Sequence, residues 1–312
     1  MRTIPITDQL HMTEIVMGIE RLGLFATKQD CFTLIERYLE AGGNCIDTAR
    51  LYADGETDKV LGAWIKQTGR REDILISAKG CHNAPGGVPR LTPEIMRQDL
   101  DDALRDLSTD HVDIFYLHRD NIQVPVSEIM PTVDALVKSG KTRAMGVSNW
   151  TAARIAEAND FARKNNLTPF VASQILNCLA VTTPAATGDL THIAMNDVER
   201  GWYEETRFPV VSYSAQAKGY FIKYFTGEAV RPFARRSFDH FPENHRRAQR
   251  VKKLADDLGT SIAAVGLAYV LQNGLNALAV ITVSKLAQLD GTFDALKLHL
   301  SPEQIRYLET GK

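Results

Sequence analysis

Asn44-Cys45-Ile46-Asp47-Thr48-Ala49-Arg50-Leu51-Tyr52 is the stretch on which the fold turns. A short apolar run ends near Ile46, and an acid and a phenol, Asp47 and Tyr52, follow it. The pattern predicts a strand that stops here, with both polar side chains on the turn beyond its C-terminal end. An α/β barrel carries its chemistry at that end of its strands. The arrangement recurs twice. Lys79 follows Ile74-Leu75-Ile76-Ser77-Ala78, and His118 follows Val112-Asp113-Ile114-Phe115-Tyr116-Leu117. Each titratable residue stands just past an apolar run, and the three runs are consecutive. The four side chains are expected to meet in one pocket.

Outward from this stretch the chain alternates. Ile4–Met12 reads as a hairpin with Thr7-Asp8-Gln9 at its turn, and Ile15–Ile19 as the first barrel strand. Helices are predicted at Thr27–Glu40, stopped by Gly42-Gly43, and at Glu56–Thr68. Thr92-Pro93-Glu94 supplies a cap and a first-turn proline for a helix running to Asp110. The second half repeats the rhythm. Strands are expected at Ala144–Val147, Phe170–Ile175, Val210–Tyr213 and Ala277–Thr282. Helices are expected at Ser127–Lys138, Thr151–Lys164, Asp189–Glu205, Arg246–Leu258, Ser261–Gln272, Ala287–Leu296 and Pro302–Leu308. Eight strand–helix units without a polar linker predict a (β/α)8 TIM barrel, one domain over residues 1–312, with an N-terminal hairpin and extra C-terminal helices. A doubly wound sheet is the alternative. It expects a glycine-rich dinucleotide turn after its first strand, and Gly18-Ile19-Glu20-Arg21-Leu22-Gly23 is not one. Residues 217–245 exceed an ordinary barrel loop and read as a flap over the mouth.

Composition bounds the function. The 312 residues are 44% hydrophobic and 24% charged, enough for a full core. A net charge of −2 gives no electrostatic case for nucleic acid or an anionic membrane. No apolar run reaches the ~18–20 residues of a bilayer span, and Met1-Arg2-Thr3-Ile4-Pro5 does not open a signal peptide. Cys31, Cys45, Cys81 and Cys178 lack CxxC spacing, so free thiols in a reducing cytoplasm are expected and a metal site is not.

The four residues past the strand ends form a chemical set. A phenol ionises near pH ~10 and is a poor acid at neutrality unless tuned. A lysine ammonium beside it favours the phenolate. An aspartate keeps the lysine charged and in place, and a histidine can hydrogen-bond the atom to be protonated. Together they suit protonation of a developing alkoxide: Tyr52 donates, Lys79 and Asp47 tune, His118 orients. Such a site fits carbonyl reduction if a hydride source is supplied. Taken singly, Asp47 reads as a cap or an ion-pair member, Tyr52 as a packed aromatic and His118 as a core histidine. Their sequence over consecutive strands carries the joint reading.

The chain resembles an aldo-keto reductase over essentially its whole length. The matching blocks are Gly43–Ala49 with Tyr52, Ser77-Ala78-Lys79, Asp113–Arg119, Gly140–Arg143 and Gly146–Trp150. The resemblance implies a (β/α)8 barrel, a nicotinamide cofactor held across the mouth without a Rossmann fold, and a catalytic tetrad falling on Asp47, Tyr52, Lys79 and His118. It also implies cofactor residues. Ser148, Asn149 and Gln174 match partners of the nicotinamide carboxamide, and Tyr213 matches the aromatic that stacks on the ring. Ser214, Ala215 and Gln216 sit where the pyrophosphate is wrapped. Thr282, Ser284, Lys285 and Gln288 belong to a block resembling the adenosine-phosphate site. Lys285 opposite a 2′-phosphate favours NADPH, with NAD as the other possibility.

Two places depart from the family pattern. Gly291-Thr292 stands where Glu-Asn usually meets the adenine amine, and Glu20-Arg21-Leu22 replaces a turn with a pocket aromatic. The latter looks more like a bacterial subgroup; Arg21 would meet either the cofactor pyrophosphate, an anionic substrate group or a neighbouring acid. Among the basic residues around the flap, Arg235 and Arg236 stand out because Phe233 and Phe238 flank them. The expected activity is NADPH-dependent reduction of a small-molecule aldehyde or ketone. The alternatives are a redox-sensing regulatory subunit that binds cofactor and turns over slowly, and a Schiff-base aldolase using Lys79, against which the Tyr/His/Asp company argues. Oligomeric state is not legible.

Overall fold

The apolar runs become strands, and the stretches with helical spacing between them become helices. A computed structural model describes residues 1–20 and 27–312. A hairpin of β1 (Thr3–Pro5) and β2 (His11–Thr13) comes first. Eight parallel strands then close into a barrel: β3 (Ile15–Gly18), β4 (Cys45–Asp47), β5 (Leu75–Gly80), β6 (Val112–Leu117), β7 (Thr142–Ser148), β8 (Ser173–Leu176), β9 (Val210–Tyr213) and β10 (Ala277–Ile281). Closure removes both sheet edges, so no barrel strand is left as a template for foreign pairing. Arg21 and Leu22, part of the departure noted after the first barrel strand, lie outside the described residues.

Register decides which side chains look inward. Asp47 lies opposite Ser77, and Ser77 opposite Ile114. Lys79 lies opposite Tyr116, Tyr116 opposite Gly146, and Ser148 opposite Gln174. Residues paired across strands, and residues two apart on one strand, share a face. Asp47 bonds to Gln174, four strands away, so this face is the barrel interior. Gly146 makes room there: a Cβ at this position would stand 2.5 Å from the Tyr116 ring. The Tyr116 phenol is fully buried, and burial, followed by Cys45 and Asp47, holds its pKa well above the ordinary value.

The chain falls into two compact units, Met1–Gln174 with Thr282–Ser284, and Ile175–Ile281 with Lys285–Lys312. The first contains α1 (Lys28–Glu40), α2 (Glu56–Thr68), α3 (Pro93–Leu107), α4 (Val126–Lys138) and α5 (Ala152–Lys164). Their starts follow the sequence signals. Thr27 caps α1 and Asp30 answers it in a capping box, Thr92 caps α3 ahead of Pro93, and Thr151 caps α5. Helix α3 ends at Leu107 rather than Asp110, because Ser108 turns left-handed at φ 56°. The hairpin is tied down by Asn44, which accepts from the Thr13 backbone N–H at 2.8 Å and donates to the His11 carbonyl at 2.9 Å. Away from the strands' C-terminal ends, the buried Asp113 accepts from the Ile76 N–H at 2.8 Å and pairs with Arg71 and Arg143. Residues at that end of such a barrel serve stability rather than chemistry.

The second unit holds α6 (Pro184–Thr187), α7 (Asp197–Thr206), α8 (Tyr220–Thr226), α9 (Pro232–Phe238), α10 (Pro242–Asp257), α11 (Ile262–Gln272), α12 (Leu286–Phe293) and α13 (Pro302–Thr310). Its core gathers Ile175, Tyr203, Val210, Leu275 and Ala277, with Trp202 and Phe208 packed on them. The helix expected over Asp189–Glu205 begins only at Asp197. Local side-chain bonds win over helix in the preceding residues: Asp189 accepts from the Thr191 N–H at 2.9 Å, and Asn196 caps α7 through Val198 and Glu199. The expected flap is mostly helical, being α8, α9 and the start of α10. Arg236 bonds the Thr187 carbonyl, and Asn244 bridges the carbonyls of Val181 and Phe238, both at 2.8 Å. Arg247 bonds the Leu179 carbonyl at 2.5 Å, and Arg250 reaches the carbonyls of Leu308 and Glu309. Several of the basic residues thus tie the unit together through main-chain oxygens. All four cysteines are free and buried. Among the described residues no single helix is long and apolar enough to cross a membrane.

Candidate active site

Asp47 is the last residue of β4, and the ladder continues beyond it. Thr48 N–H donates to the Ser77 carbonyl at 2.8 Å and Arg50 N–H to the Lys79 carbonyl at 3.0 Å. The segment from Asp47 to Arg50 is therefore pinned along β5. Tyr52 opens a tight turn, Tyr52–Gly55, held by its N–H on the Ala49 carbonyl at 2.9 Å and by Thr57 Oγ1 on its own carbonyl at 3.2 Å. Two side chains brace the approach. Thr48 Oγ1 donates to Asp58 at 2.5 Å, and Arg50 spans Asp58 and Asp106 at 3.2 and 2.7 Å. Burial raises the pKa of the Asp58 carboxyl, against the lowering pull of Thr48 and Arg50.

The turn after Tyr52 is strained. Ala53 and Asp54 both take left-handed backbone angles, φ 48° and 54°, ahead of Gly55 at φ 86°. A Cβ in that region costs about 1–2 kcal/mol per residue, and such strain gathers at functional sites. Ala53→Gly removes the offending Cβ and is expected to stabilise the fold by roughly 1 kcal/mol, net of the extra freedom of the unfolded chain. Thermal denaturation of the pair of proteins checks this; a lower midpoint for the variant would refute it.

Lys79 lies in β5 with its ammonium buried. Nζ donates to Asp47 Oδ2 at 2.6 Å and to the Thr48 carbonyl at 2.9 Å, and stands 4.8 Å from the centre of the Tyr52 ring. A buried ammonium persists only if paired, and here a carboxylate, a carbonyl and an aromatic face surround it. His118 follows β6, anchored by its N–H on the Gly80 carbonyl at 2.8 Å. Its ring is 6.1 Å from that of Tyr52, edge on, and 4.7 Å from that of His82, also edge on. The buried Arg119 donates to the His118 carbonyl at 2.9 Å. The four residues predicted from three consecutive strands thus lie close together.

Asp47 has more partners than the sequence suggests. Its Oδ1 accepts from Ser77 Oγ at 2.8 Å and from Gln174 Nε2 at 2.9 Å. Gln174, expected at a carboxamide, commits its amide nitrogen to Asp47. Ser148 ends β7, and Asn149 beyond it takes φ 59° and donates through Nδ2 to Ser148 Oγ at 3.0 Å. The Asn149 N–H is held by the Gln174 carbonyl at 3.1 Å. Ser77 is absent from the sequence-derived set because a serine inside an apolar run reads as filler. The available signal is its spacing, two residues before Lys79 and so on the same face.

In the second unit, Tyr213 is half-buried at the end of β9, with its ring 6.1 Å from that of His192. The following loop is tightly wound: Ser214, Ala217, Lys218 and Gly219 all have positive φ, and the Ala217 N–H meets the Ser214 carbonyl at 2.7 Å. Ala215 within it is buried, and Gln216 half-buried. Lys285 stands at the start of α12 and, like Gln288, is exposed. Thr292 turns its hydroxyl to the Gln288 carbonyl at 2.9 Å, so it is occupied by its own helix, and Gly291 offers no side chain. In the first unit, Thr282 is half-buried and Ser284 exposed. Among the described residues no group of His, Cys, Asp and Glu is arranged to hold a metal ion.

The Aldo/keto reductase family model covers residues 14–310, and the chain belongs to that family. It is an oxidoreductase. A putative aryl-alcohol dehydrogenase of Saccharomyces cerevisiae is 30% identical over 299 residues, covering 91% of this chain and 77% of the relative. An NADP(+) aryl-alcohol dehydrogenase of Phanerodontia chrysosporium is 27% identical over 332 residues, covering 96% and 82%. Norsolorinic acid reductase of Emericella nidulans is 26% identical over 295 residues, covering 91% and 72%. Among solved structures, a thermostable aldo-keto reductase in complex with the inhibitor epalrestat shares the fold, with a TM-score of 0.75 at 21% identity over 99% of both chains.

Proposed function

We propose that the protein is an NADPH-dependent carbonyl reductase that converts an aldehyde or ketone, aromatic ones foremost, to the alcohol, with Tyr52 as proton donor. The observation that carries this reading is the buried Lys79, held by Asp47 at 2.6 Å and set 4.8 Å from the Tyr52 ring. An ammonium so placed favours the phenolate that remains once Tyr52 has given up its proton. Tyr52 passes that proton to the carbonyl oxygen as the carbon is reduced. His118, edge on to Tyr52, orients the oxygen by hydrogen bonding. Asp47 keeps Lys79 in place and charged.

When bound, a nicotinamide cofactor supplies the hydride. The donor set fits such a group. Ser148 and Asn149 are buried polar residues at a strand end, and Asn149 takes a left-handed backbone angle. The Gln174 side-chain oxygen, on the same amide as the nitrogen given to Asp47, is an acceptor for a carboxamide N–H. Tyr213 offers an aromatic face that would shield one side of the ring and fix the face of transfer. Ser214, Ala215 and Gln216 would wrap the pyrophosphate. Thr282, Ser284, Lys285 and Gln288 would take the adenosine phosphate, and Lys285 is the partner for a 2′-phosphate. The names of the relatives, aryl-alcohol dehydrogenases and a norsolorinic acid reductase, support an aromatic substrate.

The test is a parallel assay of aromatic and aliphatic carbonyls with NADPH and NADH, beside calorimetric titration of each cofactor. NADPH is expected to bind and to be consumed with aromatic aldehydes; no binding below millimolar concentration would sink the reading. Lys285→Ala is expected to weaken NADPH about tenfold, the worth of a charge-assisted contact, and to leave NADH affinity unchanged. Equal loss for both cofactors would remove Lys285 from the 2′-phosphate.

A further inference from the structure

The Asp47 carboxylate is asymmetric in its surroundings. Oδ2 meets only Lys79 among the bonds just described, whereas Oδ1 receives both Ser77 and Gln174. Ser77, Asp47, Lys79 and Gln174 are all buried, so each of these bonds is made at low dielectric, where it counts for more. Gln174 already has a proposed cofactor role. Ser77 has none, and it sits two residues before Lys79 on the same strand face, opposite Asp47 in the register.

We propose that Ser77 is a positioning residue of the proton relay: it locks the plane of the Asp47 carboxylate and draws negative charge towards Oδ1, away from the oxygen that faces Lys79. The inference rests on Tyr52 being the proton donor. Its physical content is electrostatic. Lys79 acts on Tyr52 with whatever positive charge Asp47 leaves uncompensated. Without the Ser77 hydroxyl, Asp47 offsets more of that charge, and the Tyr52 phenol becomes harder to ionise. Other titratable groups among the described residues lie near the pair, and Asp113 acts on Cys45 from further along β6. Cys45, on the same strand as Asp47, and Tyr116, on β6, are both pushed well above their ordinary pKa values by burial and stay neutral. His118 faces Tyr52, with His82 beyond it. Removing the Ser77 hydroxyl thus alters the field at Tyr52 without adding or removing a charge.

The experiment is the pH dependence of carbonyl reduction by wild type, Ser77→Ala, Ser77→Cys, Ser77→Thr and Tyr52→Phe, with NADPH affinity measured on each. Reduction needs the protonated phenol, so activity falls as pH rises through an alkaline limb. In Ser77→Ala that limb is expected to move up by about half a unit to one unit, with NADPH affinity within twofold of wild type. Ser77→Cys keeps the volume, lacks a strong donor, and should move the limb in the same direction. Ser77→Thr keeps the hydroxyl and should restore the wild-type limb. An unmoved limb in Ser77→Ala, or the same displacement in Ser77→Thr, would overturn the positioning role while leaving the tetrad intact. Wild-type turnover by Tyr52→Phe would instead overturn the reading on which it rests.

Discussion

Tyr52→Phe is expected to lower kcat by about 10²–10⁴, the usual contribution of a positioned acid, while NADPH affinity stays within twofold. The substitution is a sharp one because it removes a single oxygen. The phenyl ring of the variant would still lie over Lys79, as the Tyr52 ring does at 4.8 Å, and would still meet the His118 ring edge on. The strained turn that follows depends on the Ala49 carbonyl and the Thr57 hydroxyl, both bonded to main-chain groups that the change does not touch. Packing is conserved, so a fall in rate reads on proton transfer. Single-turnover kinetics with a pre-formed cofactor complex, beside a binding titration, separates the two quantities. More than a tenth of wild-type turnover would exclude Tyr52 as the donor. Loss of cofactor binding would show that its role is structural.

Lys79→Met is expected to be the more damaging change, because it strikes both stability and activity. Methionine fills the volume but leaves the buried Asp47 without its counter-charge. Breaking a buried pair in this way destabilises a fold by about 3–5 kcal/mol. Ser77 and Gln174 still donate to Oδ1, which softens the effect without replacing a cation. Denaturant melts of the variant and the wild type measure this. A variant as stable as the wild type would mean that the pair does not hold the fold together.

Much of this site is legible because its members follow apolar runs. Asp47, Lys79 and His118 each come at or just after a buried strand, where the pattern breaks from apolar to titratable, and the register then brings them together. What escapes a reading of the sequence has physical causes. The bond from Gln174 to Asp47 joins residues 127 apart in the chain, and no local pattern encodes a contact across a barrel. Ala53 and Asp54 adopt left-handed angles without the glycines that announce them. The helix expected from Asp189 has suitable apolar spacing, but Thr187, Asp189 and Asn196 turn their side chains back to neighbouring groups and hold the chain out of helix. Composition alone marks the basic residues near the expected flap as charged and says nothing of their partners; Arg236, Arg247 and Arg250 bond carbonyl oxygens of their own unit.

The four buried cysteines give the protein an internal clock. A thiol reacts as its thiolate and only where a reagent can reach it. Cys45 is pushed well above its ordinary pKa, and Cys178 up to about 12, in each case chiefly by burial. Alkylation of the native protein must therefore wait for an opening event, and its rate counts such events. Cys45 lies on β4 in one compact unit and Cys178 just beyond β8 in the other. Tracking the two labels separately by peptide mass would time the breathing of each half of the chain, with no engineered probe in either.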